Sequence, residues 1–134
     1  MSYTDKIAVI SFDLKTADMA AAPGDNVDLF SIIIPANRET EIQGMRADVR
    51  LASDGADFIE LVKSDNTVIS KIALVSTGQK SGVNSDGTTA TTFPQRIAPQ
   101  STTVASVLKL RTDGALDATT DVTVQIHISG LMAQ

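Results

Sequence analysis

At 134 residues the chain fits one domain, residues 1–134, because two halves of that length would each bury too little surface to be stable alone. Its 43% hydrophobic but only 4% aromatic content requires an aliphatic core, and a net charge of −5 with scattered Lys and Arg excludes the basic patch that nucleic acid demands. There is no cysteine, so disulfides, thiolate nucleophiles and thiolate metal ligands are all excluded.

Along the chain, Ile7 to Leu14 opens on an apolar run and then alternates, which predicts a first strand. Thr16 to Ala22 accommodates one helical turn capped by Thr16 or Asp18, and Pro23-Gly24-Asp25-Asn26 stops regular structure. Val27 to Ile34 ends in the β-branched run Ile32 to Ile34 and reads as a strand buried on both faces near its end, closed by Pro35. Glu39 to Leu51 is a long strand in which Met45, Ala47, Val49 and Leu51 alternate with polar residues, and Gly44 marks a break or bulge. Ser53-Asp54-Gly55 is a turn.

Phe58 to Lys63 and Thr67 to Val75 flank Ser64-Asp65-Asn66 and predict a hairpin. Ser76 to Ser101 then reads as one long polar loop, beyond the roughly 12 to 15 residues at which structureless loops become uncommon. Its composition predicts a segment that orders only when a partner supplies contacts. Val104 to Arg111 and Val122 to Ile128 complete the strands, separated by Thr112-Asp113-Gly114 and by Leu116 to Asp121. About seven or eight strands with almost no helix predict an all-β, antiparallel sandwich or jelly roll.

No catalytic motif is present. His127, the only histidine, lies on a polar strand face with Thr123 and Gln125, and no nucleophile elbow accompanies it. Asp113, Asp117 and Asp121 could in principle offer oxygens to calcium, but the EF-hand pattern is missing and turn chemistry accounts for them. The chain is expected to need no cofactor or metal and to be no enzyme. No N-terminal pattern of a signal peptide is found, and no apolar run approaches the length of a membrane span, so a soluble chain without a membrane partner is expected. The patch Phe93-Pro94-Gln95-Arg96-Ile97-Ala98-Pro99 is the anchored part of the long loop. Phe93, Arg96 and Ile97, with the single tyrosine Tyr3, are the candidate contact residues, because aromatics and arginine dominate interface energetics, the alternative being that Phe93 and Ile97 fold back over the edge of their own sandwich.

The stretch Leu108-Lys109-Leu110-Arg111-Thr112-Asp113-Gly114, leading into Thr119-Thr120-Asp121-Val122-Thr123-Val124, resembles the hairpins of tailed-bacteriophage virion proteins. Over most of its length the chain resembles capsid decoration or cement proteins, small β-sandwich subunits that sit on the outside of the phage head. The resemblance implies a structural virion protein on the capsid surface. Its partners would be the major capsid protein or other virion proteins and copies of itself, a trimer being favoured. The alternative is a tail-associated or carbohydrate- or receptor-binding sandwich module.

Overall fold

The computed structural model describes residues 7–53, 58–98 and 101–130, and nine strands lie among them. They are β1 (Ile7–Lys15), β2 (Asp28–Ile34), β3 (Thr40–Leu51), β4 (Phe58–Val62), β5 (Val68–Ala73), β6 (Gly78–Ser81), β7 (Gln95–Ile97), β8 (Ser106–Asp113) and β9 (Asp121–Ser129). One sheet has the order β1-β9-β3-β6, with β7 also on β3, and the other has the order β2-β8-β4-β5. Every pairing is antiparallel.

The pairing is nested. The first strand pairs with the last, the second with the last but one, the third with β6 and β7, and β4 with β5 in a hairpin at the centre. A long hairpin of this kind, rolled so that successive pairs fall alternately in two facing sheets, is a jelly roll.

Alternation produces the core. Val122, Val124, Ile126 and Ile128 of β9 are buried, as are Leu108 and Leu110 of β8 and Ile59 and Leu61 of β4. On β3 the inward residues Ile42 and Met45 are three apart, which period two cannot satisfy without an extra residue. The register shift between Ile42 and Gly44 supplies it, so the expected bulge is present. Gly44 stands opposite His127, and a Cβ there would lie 3.9 Å from the imidazole.

Local turn chemistry largely follows expectation. In the β4–β5 hairpin, Asn66 adopts φ 67°, a left-handed conformation that asparagine tolerates, and the Asp65 carboxylate accepts from the Thr67 N–H at 3.0 Å. The expected helical turn is only a short 3-10 turn, Thr16–Asp18, and neither Thr16 nor Asp18 caps it. Thr16 is buried and its hydroxyl donates to the Asp117 carbonyl at 2.7 Å instead, tying the end of β1 to the loop before β9. Asp54 and Gly55 of the expected turn lie outside the described residues.

Two expectations are corrected. Ser76 to Ser101 is not a structureless loop awaiting a partner, since it contributes β6 and β7 to the edge of β3, and Val83 bridges both Lys71 of β5 and Ala90. Its polar side chains conceal this role, because backbone pairing needs no apolar residue. The run Ile32 to Ile34 is not buried on both faces: Ile32 and Ile34 are buried, whereas Ile33 is 67% exposed. β2 is an edge strand, and Ile33 points to its outer face, which none of the described residues covers there.

The turn Ser85-Asp86-Gly87 lies within this segment, between β6 and β7, and carries a pH prediction. The Asp86 carboxylate accepts the Thr89 hydroxyl and the Thr88 and Thr89 N–H groups, and these bonds, the hydroxyl first, lower its pKa from 3.8 to about 2. A depressed folded pKa means that the linked stability is present above the unfolded value near 3.8 and is lost as pH falls through about 2. The Thr88 and Thr89 amide resonances are expected to titrate with a midpoint near that lower value. A midpoint at an ordinary aspartate pKa would show that the turn does not hold the carboxylate.

Candidate functional site

The residues singled out from sequence are not gathered into one site. Ile97 is 5% exposed and belongs to the core of its own sandwich, paired opposite Thr40 on β3, so it is not a free docking anchor. Phe93 is half-buried against the same core. Both side chains satisfy their apolar surface internally, which is the physical reason the docking expectation fails for Ile97 and weakens for Phe93. Arg96 is exposed and forms an ion pair with Glu39, while Tyr3 lies outside the described residues.

The polar candidates are likewise dispersed. Asp121 pairs with Arg50 at 2.7 Å and Asp113 with Lys71 at 3.7 Å, and among the described residues no group of three or more His, Cys, Asp or Glu is placed to hold a metal ion. The buried Nε2 of His127 has no hydrogen-bond partner among the described residues. Among the described residues no helix is long and apolar enough to cross a membrane.

What the fold does assemble is an open side. β1 and β2 are the edge strands of the two sheets at the same side of the sandwich, and their Phe12 and Phe30 rings meet at 5.7 Å. Among the described residues β1 pairs only with β9 and β2 only with β8, so each presents there one row of unpaired backbone donors and acceptors. The opposite side is closed by the Val83 bridge to β5.

Exposed apolar side chains concentrate on that open side. Ile7 (55%), Val9 (52%), Phe30 and Ile33 lie on the two edge strands, with Met19 and Val27 on their connection, against Leu51, Val75 and Val104 elsewhere. Between Ile7 and Phe12, and between Leu29 and Ile34, there is no charged residue and no proline. Lysine and proline on an edge are the usual guards against strand addition. The contiguous runs Ile7 to Ile10 and Ile32 to Ile34 were the available signal: such a run is apolar on both faces, and on an edge strand the outer face has nothing to bury against.

A second feature lies on the outer face of the β1-containing sheet. A groove of about 490 Å³ is lined by Arg46, Asp48, Arg50, Gln79, Ser81, Thr123 and Gln125. Arg50 donates to Asp121 and to Thr123, and the Asp121 carboxyl is held below its ordinary pKa chiefly by the hydrogen bond from Arg50. Arg46 stands in register with Gln125 on one side and Ser81 on the other, exposed and outside any ion pair among the described residues.

Searches of protein-family models, of curated proteins and of solved structures find no match to this chain.

Proposed function

We propose that the chain is a structural subunit of a virion, which decorates and stabilises a phage capsid by contact with neighbouring capsid proteins. The observation that carries this reading is the open side of the jelly roll, with two unguarded edge strands and exposed Ile7, Val9, Phe30 and Ile33. Clustered apolar surface of this kind marks a protein contact site. A decorating subunit needs buried area and no bond chemistry, and many copies on one shell let individually weak contacts act together. The jelly roll serves capsid proteins and lectins alike, so the fold adds support by analogy only.

The test uses phage heads from the chain's own source, stripped of outer proteins and incubated with purified chain. Co-sedimentation with the heads, and a higher temperature for release of their DNA, are the expected results. Absence of co-sedimentation at concentrations well above micromolar would end the reading.

The groove around Arg46 favours a second reading, a carbohydrate-binding module that takes an acidic sugar, because a free guanidinium flanked by amide and hydroxyl groups suits a carboxylate among hydroxyls. Calorimetry with uronate-containing oligosaccharides tests it. Saturable binding that disappears in Arg46→Ala, without attachment to heads, would replace the first reading with this one.

A further inference from the structure

We propose that the open side is a self-association surface, on which a second copy of this chain docks about a two-fold axis so that both sheets continue across the interface. This rests on the reading of that side as a protein contact surface, and it names the occupant.

The geometry of the two edges is self-complementary. The middle residue of β1 is Ser11 and that of β2 is Ser31. Traced through β9, β3, β6, the Val83 bridge, β5, β4 and β8, the antiparallel pairings set β1 and β2 in opposite directions, and the Phe12–Phe30 contact brings the neighbours Ser11 and Ser31 to the same part of this side. A single two-fold axis perpendicular to the sheets can therefore pass near both serines. About that axis β1 pairs antiparallel with its own copy, and β2 with its own copy, each over its full length. Isologous contacts require such self-complementarity. It also satisfies the free edge groups of both sheets at once.

Charge and area agree with this occupant. Two copies of a chain of net charge −5 repel, so like charges must be kept apart where they meet, and this register does so: Asp13 faces Val9, Lys15 faces Ile7 and Asp28 faces Ile34 of the other copy. Nine residues of β1 extend about 30 Å, and the two layers with their flanking side chains are about 20 Å thick. The side thus offers roughly 600 Å² per copy, which reaches the lower bound of stable specific interfaces, about 1,200 Å² in total.

Single cysteines test the arrangement, since the chain has none of its own and every disulfide formed must join two copies. A residue that pairs with itself across antiparallel strands has a Cα separation of about 4.5 to 5.5 Å, within disulfide reach. Under mild oxidation Ser11→Cys and Ser31→Cys are expected to cross-link to dimers, and Gln79→Cys, on the opposite edge, to remain single. Sedimentation equilibrium should find a dimer for the unmodified chain. Val9→Asp, which the register sets against Asp13 of the other copy, combined with Ile33→Lys should weaken it roughly 100-fold, about a factor of ten for each charge placed at the interface.

Both positions are more than half exposed, so the melting temperature of the isolated fold should be retained, which separates lost association from lost folding. A monomer at every concentration, or a trimer in which Ser11→Cys does not cross-link, overturns the inference. If a monomer binds stripped heads and Val9→Asp abolishes that binding, the decoration reading survives with the shell as occupant. A cross-linked dimer that binds no heads upholds the inference and removes the decoration reading.

Discussion

Replacing Glu60 with alanine is expected to destabilise the fold by about 3 kcal/mol, at the lower end of the range for breaking a buried ion pair. Glu60 sits on the outer face of β4, yet its side chain is only 6% exposed. Its carboxylate accepts from Arg111 Nε of β8 at 2.9 Å, and Arg111 also donates to Asn66 Oδ1 at 3.2 Å. On the other flank Lys71 of β5 lies opposite Glu60, with its ammonium 4.1 Å from the centre of the Phe58 ring. The turn after Val83 approaches the same surface, since a Cβ at Gly87 would come within 3.2 Å of Phe58.

Removing the carboxylate leaves a largely buried guanidinium with the neutral Asn66 as partner, and the cost is mainly that of the stranded charge. For a chain of this size the loss corresponds to a fall in melting temperature of roughly 10 to 15 °C. The double variant Glu60→Leu with Arg111→Met should recover most of it, because two apolar side chains leave nothing unpaired. A Glu60→Ala protein that melts within about 2 °C of the parent would show that water reaches the pair and screens it.

Ile97→Ala is expected to cost about 2 to 4 kcal/mol, the range for emptying an aliphatic position in a core. Ile97 is buried through the pairing of β7 with β3, so the loss should register in chemical or thermal unfolding of the isolated chain. Phe93→Ala should act in the same direction with a smaller effect, since Phe93 is only partly buried. This is opposite in kind to the behaviour of docking anchors, which would weaken attachment and leave melting unchanged. Unaltered melting of Ile97→Ala would mean that the segment 76–101 is not built into the sandwich in the free chain. Arg96, exposed on the same strand, should tolerate alanine, because an exposed ion pair such as that with Glu39 contributes little.

Much of the fold was legible because its signals are local. Alternation along Val122 to Ile128 reports which face of a strand is buried, whatever the partner strands are. The turn at Ser64-Asp65-Asn66 and the bulge at Gly44 follow from the conformational preferences of those residues. Tertiary structure alone decided where each strand stands. β1 becomes an edge because it pairs with β9 from far along the chain and with no other strand among the described residues, and no window of sequence contains that fact.

The candidate site depends on this choice, since alternation turns Ile7, Val9 and Ile33 to the outer sheet faces, and only the edge position adds a free strand beside them. The segment Ser76 to Ser101 escaped for a related reason. Its pairing with β3 and β5 uses backbone groups that every residue carries, so composition announces nothing. Glu60 reads as a solvated charge in the run Phe58 to Val62, and only the neighbouring strands and the returning turn enclose it. Periodicity is a property of one strand, whereas edge, roof and partner are properties of the assembled sheets, and those were decided by contacts between residues far apart in the chain.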